Sequence, residues 1–96
     1  MNYIVIDAYL NGTGIRSEYK GGFILPEEIG LSQTIIKKLT HWLHLYAKEI
    51  YAGYNNMNNI KKLDEEGIII AKEIKNEIKD IKVSYFSDAT MQKTLI

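Results

Sequence analysis

Residues 63–86 read LDEEGIIIAKEIKNEIKDIKVSYF, and this stretch decides the fold. Its first part is helical by period. Ile70, Ala71, Ile74 and Ile78 recur at the spacing of one helix face. Asp64 stands where a helix N-cap would stand. Leu63 and Ile68 occupy staple positions around it, and Asp64, Glu65 and Glu66 place acid where the macrodipole favours anions. Lys75 and Lys79 place cations at the far end. Gly67 works against the helix by about 1 kcal/mol relative to alanine, so a close packing contact is expected there. From Ile81 to Phe86 the period changes to two, which predicts a strand.

A helix that feeds a strand needs other elements to cover its apolar stripe. Tyr3 to Leu10 alternates: Ile4, Ile6, Ala8 and Leu10 share one face, and Tyr3, Val5, Asp7 and Tyr9 share the other. The first face is apolar and the second mixes aromatic and acidic groups, as on a sheet with one open side. Asn11-Gly12-Thr13-Gly14 predicts a hairpin with a type I′ turn at Asn11-Gly12. Ile15 to Lys20 reads as the returning strand, ended by Gly21-Gly22. Phe23, Ile24 and Leu25 extend the pairing or plug the core. Pro26 to Gly30 is a connector of about one helical turn.

Ser32 is placed to cap a first long helix, with Leu31 and Ile36 at staple positions. Ile35, Leu39, Trp42, Leu43, Tyr46 and Ile50 supply its apolar stripe, and Gly53 stops it, giving a helix over residues 32–52. The Asn-rich run 54–59 reads as a mobile loop. Residues 88–96 read as a loosely ordered tail. The order is ββααβ. Alternating directions make the third strand parallel to the first. The expected architecture is a two-layer α/β (α+β) sandwich: a three-stranded mixed sheet of order 2-1-3, covered on one face by two helices, in a single domain over residues 1–96.

Composition narrows the function. Ninety-six residues form one modest core. The absence of cysteine excludes a disulfide framework, a thiolate metal site and a cysteine nucleophile. Twelve basic residues balance twelve acidic ones, which argues against direct nucleic-acid binding. No apolar run is long enough to span a membrane, and the N-terminus lacks a basic region, so a cytoplasmic protein is expected. His41 and His44 share a helix face but lack a third ligand, so no metal or cofactor is expected. Asn11-Gly12-Thr13-Gly14 lacks the Gly-Lys-Ser/Thr of a phosphate loop. The lysines around the second helix are interleaved with Glu73, Glu77 and Asp80, which predicts a solvated face. No catalytic constellation emerges, and no enzyme is expected.

Seven tyrosines are many for this length. Tyrosine combines contact area with a polar handle at low entropic cost, which favours interfaces. Asp7, Tyr9, Glu18, Tyr19, Glu27, Glu28 and Tyr54 are therefore candidates for a partner-binding patch, acidic and aromatic, that meets a basic protein.

The run from Leu63 through Gly67, Ala71 and Lys72 to Lys75, followed by Val83-Ser84-Tyr85-Phe86-Ser87, resembles small bacterial immunity proteins of polymorphic-toxin and contact-dependent growth inhibition systems. The resemblance extends in layout to the N-terminal strand, the glycine-containing hairpin and the Trp42 helix. It implies a non-catalytic protein that binds a cognate toxin, often a nuclease, and blocks it. An acidic patch would suit such a partner by imitating substrate phosphates. The alternative expectation is a small adaptor or phage accessory protein that self-associates through an open sheet face, so a homodimer stays open.

Overall fold

The computed structural model describes residues 2–96. Strand β1 (Asn2–Asp7) pairs antiparallel with β2 (Ile15–Ser17) and parallel with β3 (Ile81–Phe86). Helices α1 (Gln33–Tyr51) and α2 (Met57–Glu77) pack together on one face of the sheet. The parallel pairing of β1 with β3 follows from the strand directions expected above. The sheet, however, has four strands in the order β2-β1-β3-β4, not three in the order 2-1-3. The added strand is β4 (Lys93–Leu95), antiparallel to β3 in the region expected to be a tail. Three exposed residues carry little periodic signal, and it is the ladder offered by β3 that orders them. Among the described residues, no helix is long and apolar enough to cross a membrane.

Both strands of the hairpin are shorter than their alternation implies. β1 ends at Asp7, and Gly12 N donates to Tyr9 O at 2.9 Å, closing a turn over Tyr9–Gly12. Asn11 takes the left-handed conformation there (φ 67°) but Gly12 does not, so the turn is not type I′. Gly12 instead lies under Phe23: a Cβ there would stand 2.5 Å from the Phe23 ring, which would have to swing aside. After β2 the chain reverses through residues 18–21, and Phe23 returns opposite Arg16 as an isolated bridge. Ser17 N donates to Gly22 O and Ile24 N to Ile15 O, so this short return covers the β2 edge.

Helix α1 forms as its caps and period dictate. Ser32 Oγ accepts from Ile35 N at 3.3 Å. Ile35, Leu39, Trp42 and Tyr46 form its buried stripe. Helix α2 begins two turns before Asp64. Asn56, not Asp64, is its N-cap, accepting from Asn59 N at 3.1 Å, and the expected Asn-rich loop contracts accordingly. Ile60 is buried, so the apolar period runs back past Asp64 into the Asn-rich stretch.

Asp64 therefore sits inside the helix and has another task. Its carboxylate accepts from Tyr85 Oη at 2.6 Å, Tyr46 Oη at 2.9 Å and Ser87 Oγ at 2.8 Å. These three hydroxyls tie α2 to α1, to β3 and to the turn after β3. Ala89 N donates to Tyr46 Oη, and Trp42 Nε1 donates to Leu63 O at 2.8 Å. Burial pushes the Tyr46 phenol up to about 12, with the Asp64 charge adding to the effect. Tyr85 is raised further, by burial first and then by its hydrogen bond to Asp64. Gly67 lies directly beneath Tyr85: a Cβ there would stand 2.2 Å from Tyr85 Cε1. The motif residues Asp64, Gly67, Tyr85 and Ser87 thus converge on one interior junction, where their role is to hold the fold.

Candidate interaction surface

The sheet face turned away from the helices is not open. Val5, Asp7 and Ser84 are buried on it. Register explains the cover: Val5 lies between Arg16 and Ser84, Asp7 lies beside Phe86, and Phe86 lies beside Lys93. Arg16, the single arginine, binds Asp7 Oδ2 through Nε at 2.7 Å and lies over the Phe86 ring, 5.6 Å from its centroid. Lys93 reaches from β4 back to Glu18 at 2.7 Å, beside Arg16 Nη1 at 3.7 Å from the same carboxylate. Glu18 is lowered from the usual glutamate range, first by the hydrogen bond from Lys93, against a smaller opposing effect of burial. Lys82 lies 4.8 Å from the Tyr3 ring centroid, and Tyr3 Oη meets Ser84 Oγ at 2.5 Å. Long cationic side chains laid across aromatic rings therefore roof this face.

The exposed aromatic residues lie along the β2 edge, with Tyr9 and Phe23 toward the hairpin turn and Tyr19 beside Tyr3 at the other end of β1. Tyr9 is 58% exposed, Tyr19 75% and Phe23 42%. The Tyr9 and Phe23 rings lie 5.9 Å apart at 32°, and Tyr19 meets Tyr3 edge to face at 5.7 Å. Two clefts flank Gly21, Gly22 and Phe23. One, of about 430 Å³, is lined by Tyr3, Tyr19, Lys20 and Glu28 among others. The other, of about 280 Å³, is lined by Asp7, Tyr9 and Arg16. Leu25, 50% exposed, lies on the same connection.

The structure thus places Tyr19 and Glu28 on one cleft and Tyr9 on the next, with Phe23 between them. Glu27 is exposed beside Glu28 on the 3-10 turn Pro26–Ile29, and neither makes an ion pair among the described residues. Asp7 and Glu18 differ from expectation. Asp7 is buried and neutralised by Arg16, also accepting from Tyr9 N at 3.0 Å, while Glu18 is held by Lys93. They anchor the surface and do not present free negative charge. Tyr54 lies elsewhere, in the α1–α2 connection, where it packs edge to face on Tyr46 and donates to Asp88. Burial and this carboxylate raise its phenol. Phe23 was readable as core or strand. Its exposure depends on the 18–21 reversal, for which Gly21-Gly22 was the available signal.

His41 and His44 are exposed on α1 beside Lys37 and Thr40. Among the described residues, no cluster of three or more His, Cys, Asp or Glu side chains could hold a metal. No protein-family model, curated protein or solved structure matches the chain.

Proposed function

We propose that the protein is an immunity protein that neutralises a cognate toxin by stoichiometric binding. The toxin we propose is a nuclease effector domain with a basic active site. One observation carries the reading: Tyr9, Tyr19 and Phe23 stand exposed around two adjoining clefts, with Glu27 and Glu28 beside them. Exposed aromatic side chains at this density suit a desolvated interface centre. The glutamates suit a rim that draws in a basic partner. The resemblance in the helix–strand motif supports the same class. Its residues serve the interior junction, so partner choice is free to reside in the aromatic surface around Phe23.

Co-expression with the product of the adjacent upstream gene tests this. The expected result is growth rescue by the intact protein and its loss in Tyr19→Ala/Phe23→Ala. A toxic upstream product that the protein neither binds nor neutralises would overturn it.

A further inference from the structure

The second sheet edge has a different chemistry. Ser87 N donates to Gln92 O and Ile96 N to Val83 O, each at 2.9 Å, and Thr94 pairs with Tyr85. By antiparallel alternation, the backbone groups of Lys93 and Leu95 therefore point outward. All three β4 side chains are exposed, and Leu95 is 59% exposed. Edge strands are ordinarily blunted by being very short or by proline, a bulge or an outward lysine, and β4 uses only the first of these. β4 has no proline, and its lysine is drawn back across the sheet to Glu18.

A cationic flank runs beside this edge. Lys75 Nζ donates to Ile96 O at 2.9 Å, fixing one end of α2 against the end of β4. Lys61 and Ile68 share a cleft of about 290 Å³ with Thr90, fixing the other end. Lys72 lies on the same side, four residues after Ile68 and three before Lys75. The acids that interleave with these lysines in sequence face the other way: Glu73 pairs with Lys38 of α1 at 2.9 Å, and Glu77 accepts from Ser32 N. Asp64 and Glu65 line the cleft beside Lys61, two turns from Lys72, so the cationic stretch is the end of α2 that carries Lys72 and Lys75. Neither Lys61 nor Lys72 makes an ion pair among the described residues.

We propose that the outer edge of β4 receives an extended, acidic segment of a partner protein as a fifth strand. The backbone of Lys93 and Leu95 supplies the ladder. Lys72 and Lys75 read the acidic side chains that such a strand turns to the helix side. The charge selects this occupant over a second copy. Two-fold pairing of β4 with itself would set two lysine flanks side by side. The site is separate from the aromatic surface and stands or falls independently of the toxin reading.

The test is an amide NMR titration of the whole protein with a capped peptide alternating valine and glutamate. Its valine–lysine counterpart and a short oligothymidylate serve as comparison probes. The acidic peptide is expected to shift the Lys93 and Leu95 amides and slow their hydrogen exchange. Lys72→Glu/Lys75→Glu is expected to weaken binding by at least about tenfold. Leu95→Pro removes an outward donor while leaving the β3 ladder intact, so it is expected to abolish binding with little change in melting temperature. Four results would overturn the proposal: no shift at these amides, equal binding of the lysine peptide, binding unaffected by Leu95→Pro in a folded variant, or oligothymidylate binding in place of the peptide.

Discussion

Replacing Gly67 with alanine should destabilise the protein, although helix propensity alone says the opposite. The added Cβ would stand 2.2 Å from Tyr85 Cε1 and 2.9 Å from Tyr85 Oη. Tyr85 is 2% exposed, so its ring has no free space to enter. It must move by about an ångström to reach ordinary contact, and its 2.6 Å hydrogen bond to Asp64 is lost or lengthened. Overpacking costs about 1–3 kcal/mol. Loss of a hydrogen bond to a charged acceptor costs about 1.5–3 kcal/mol. Alanine returns about 1 kcal/mol of helix propensity. The net expectation is a loss of about 2–5 kcal/mol, which lowers the melting temperature of a domain this size by more than about 8 °C. Urea unfolding followed by circular dichroism measures it. In a Tyr85→Val background the clash disappears, and the same Gly67→Ala change should stabilise by up to about 1 kcal/mol. A Gly67→Ala protein as stable as the original, or an equal loss in both backgrounds, would refute the reasoning.

Three further outcomes follow from the same geometry. Tyr46 is pushed up to about 12 from an ordinary 10, and Tyr85 and Tyr54 are raised as well. Their protonated forms are favoured in the folded state, so their contribution is complete below pH 10 and is lost as the pH rises through their folded values. Stability measured against pH should fall across that alkaline window, with tyrosine-labelled NMR showing Tyr46 ionising near pH 12. Glu18 has the opposite sign. Its lowered value means that the Lys93 link stabilises above the ordinary glutamate range and is lost as the pH falls through its folded value. The urea midpoints of the protein and of Lys93→Met should therefore differ slightly at neutral pH and converge in acid. Gly12→Ala should displace the Phe23 ring, which is already 42% exposed, at a cost below about 1 kcal/mol. Stability and partner affinity should then separate, with the variant melting almost normally while binding its partner less tightly.

The fold was legible wherever a period and a cap agreed. Ser32 and the Ile35–Tyr46 stripe define α1, and alternation defines β1 and β3. The parallel β1–β3 pairing followed from direction alone. Asp64 was misread because an acid before an apolar run looks the same whether it caps a helix or lies half-buried within one. Its hydroxyl donors come from residues 46, 85 and 87, which no local pattern connects. β4 was missed because three exposed residues become a strand only when β3 lies beside them. The charge patterns needed the third dimension as well. Asp7 and Glu18 look like free acid in sequence and are held by Arg16 and Lys93. Lys72 looks cancelled in sequence and makes no ion pair among the described residues, because Glu73 and Glu77 turn toward α1. Tyr19 and Glu28 line one cleft and Tyr9 the adjoining one across Phe23, while Tyr54 belongs to another part of the surface.

In the proposed function the aromatic surface around Phe23, and not the interior motif, holds a protein partner. Titration calorimetry of the purified protein against the upstream gene product tests it most directly. A one-to-one complex is expected, weakened at least about a hundredfold by Tyr9→Ala/Tyr19→Ala, a loss of hot-spot size, and unchanged by Tyr54→Phe. Absence of a complex, or a complex that survives the double substitution and fails with Tyr54→Phe, would contradict it.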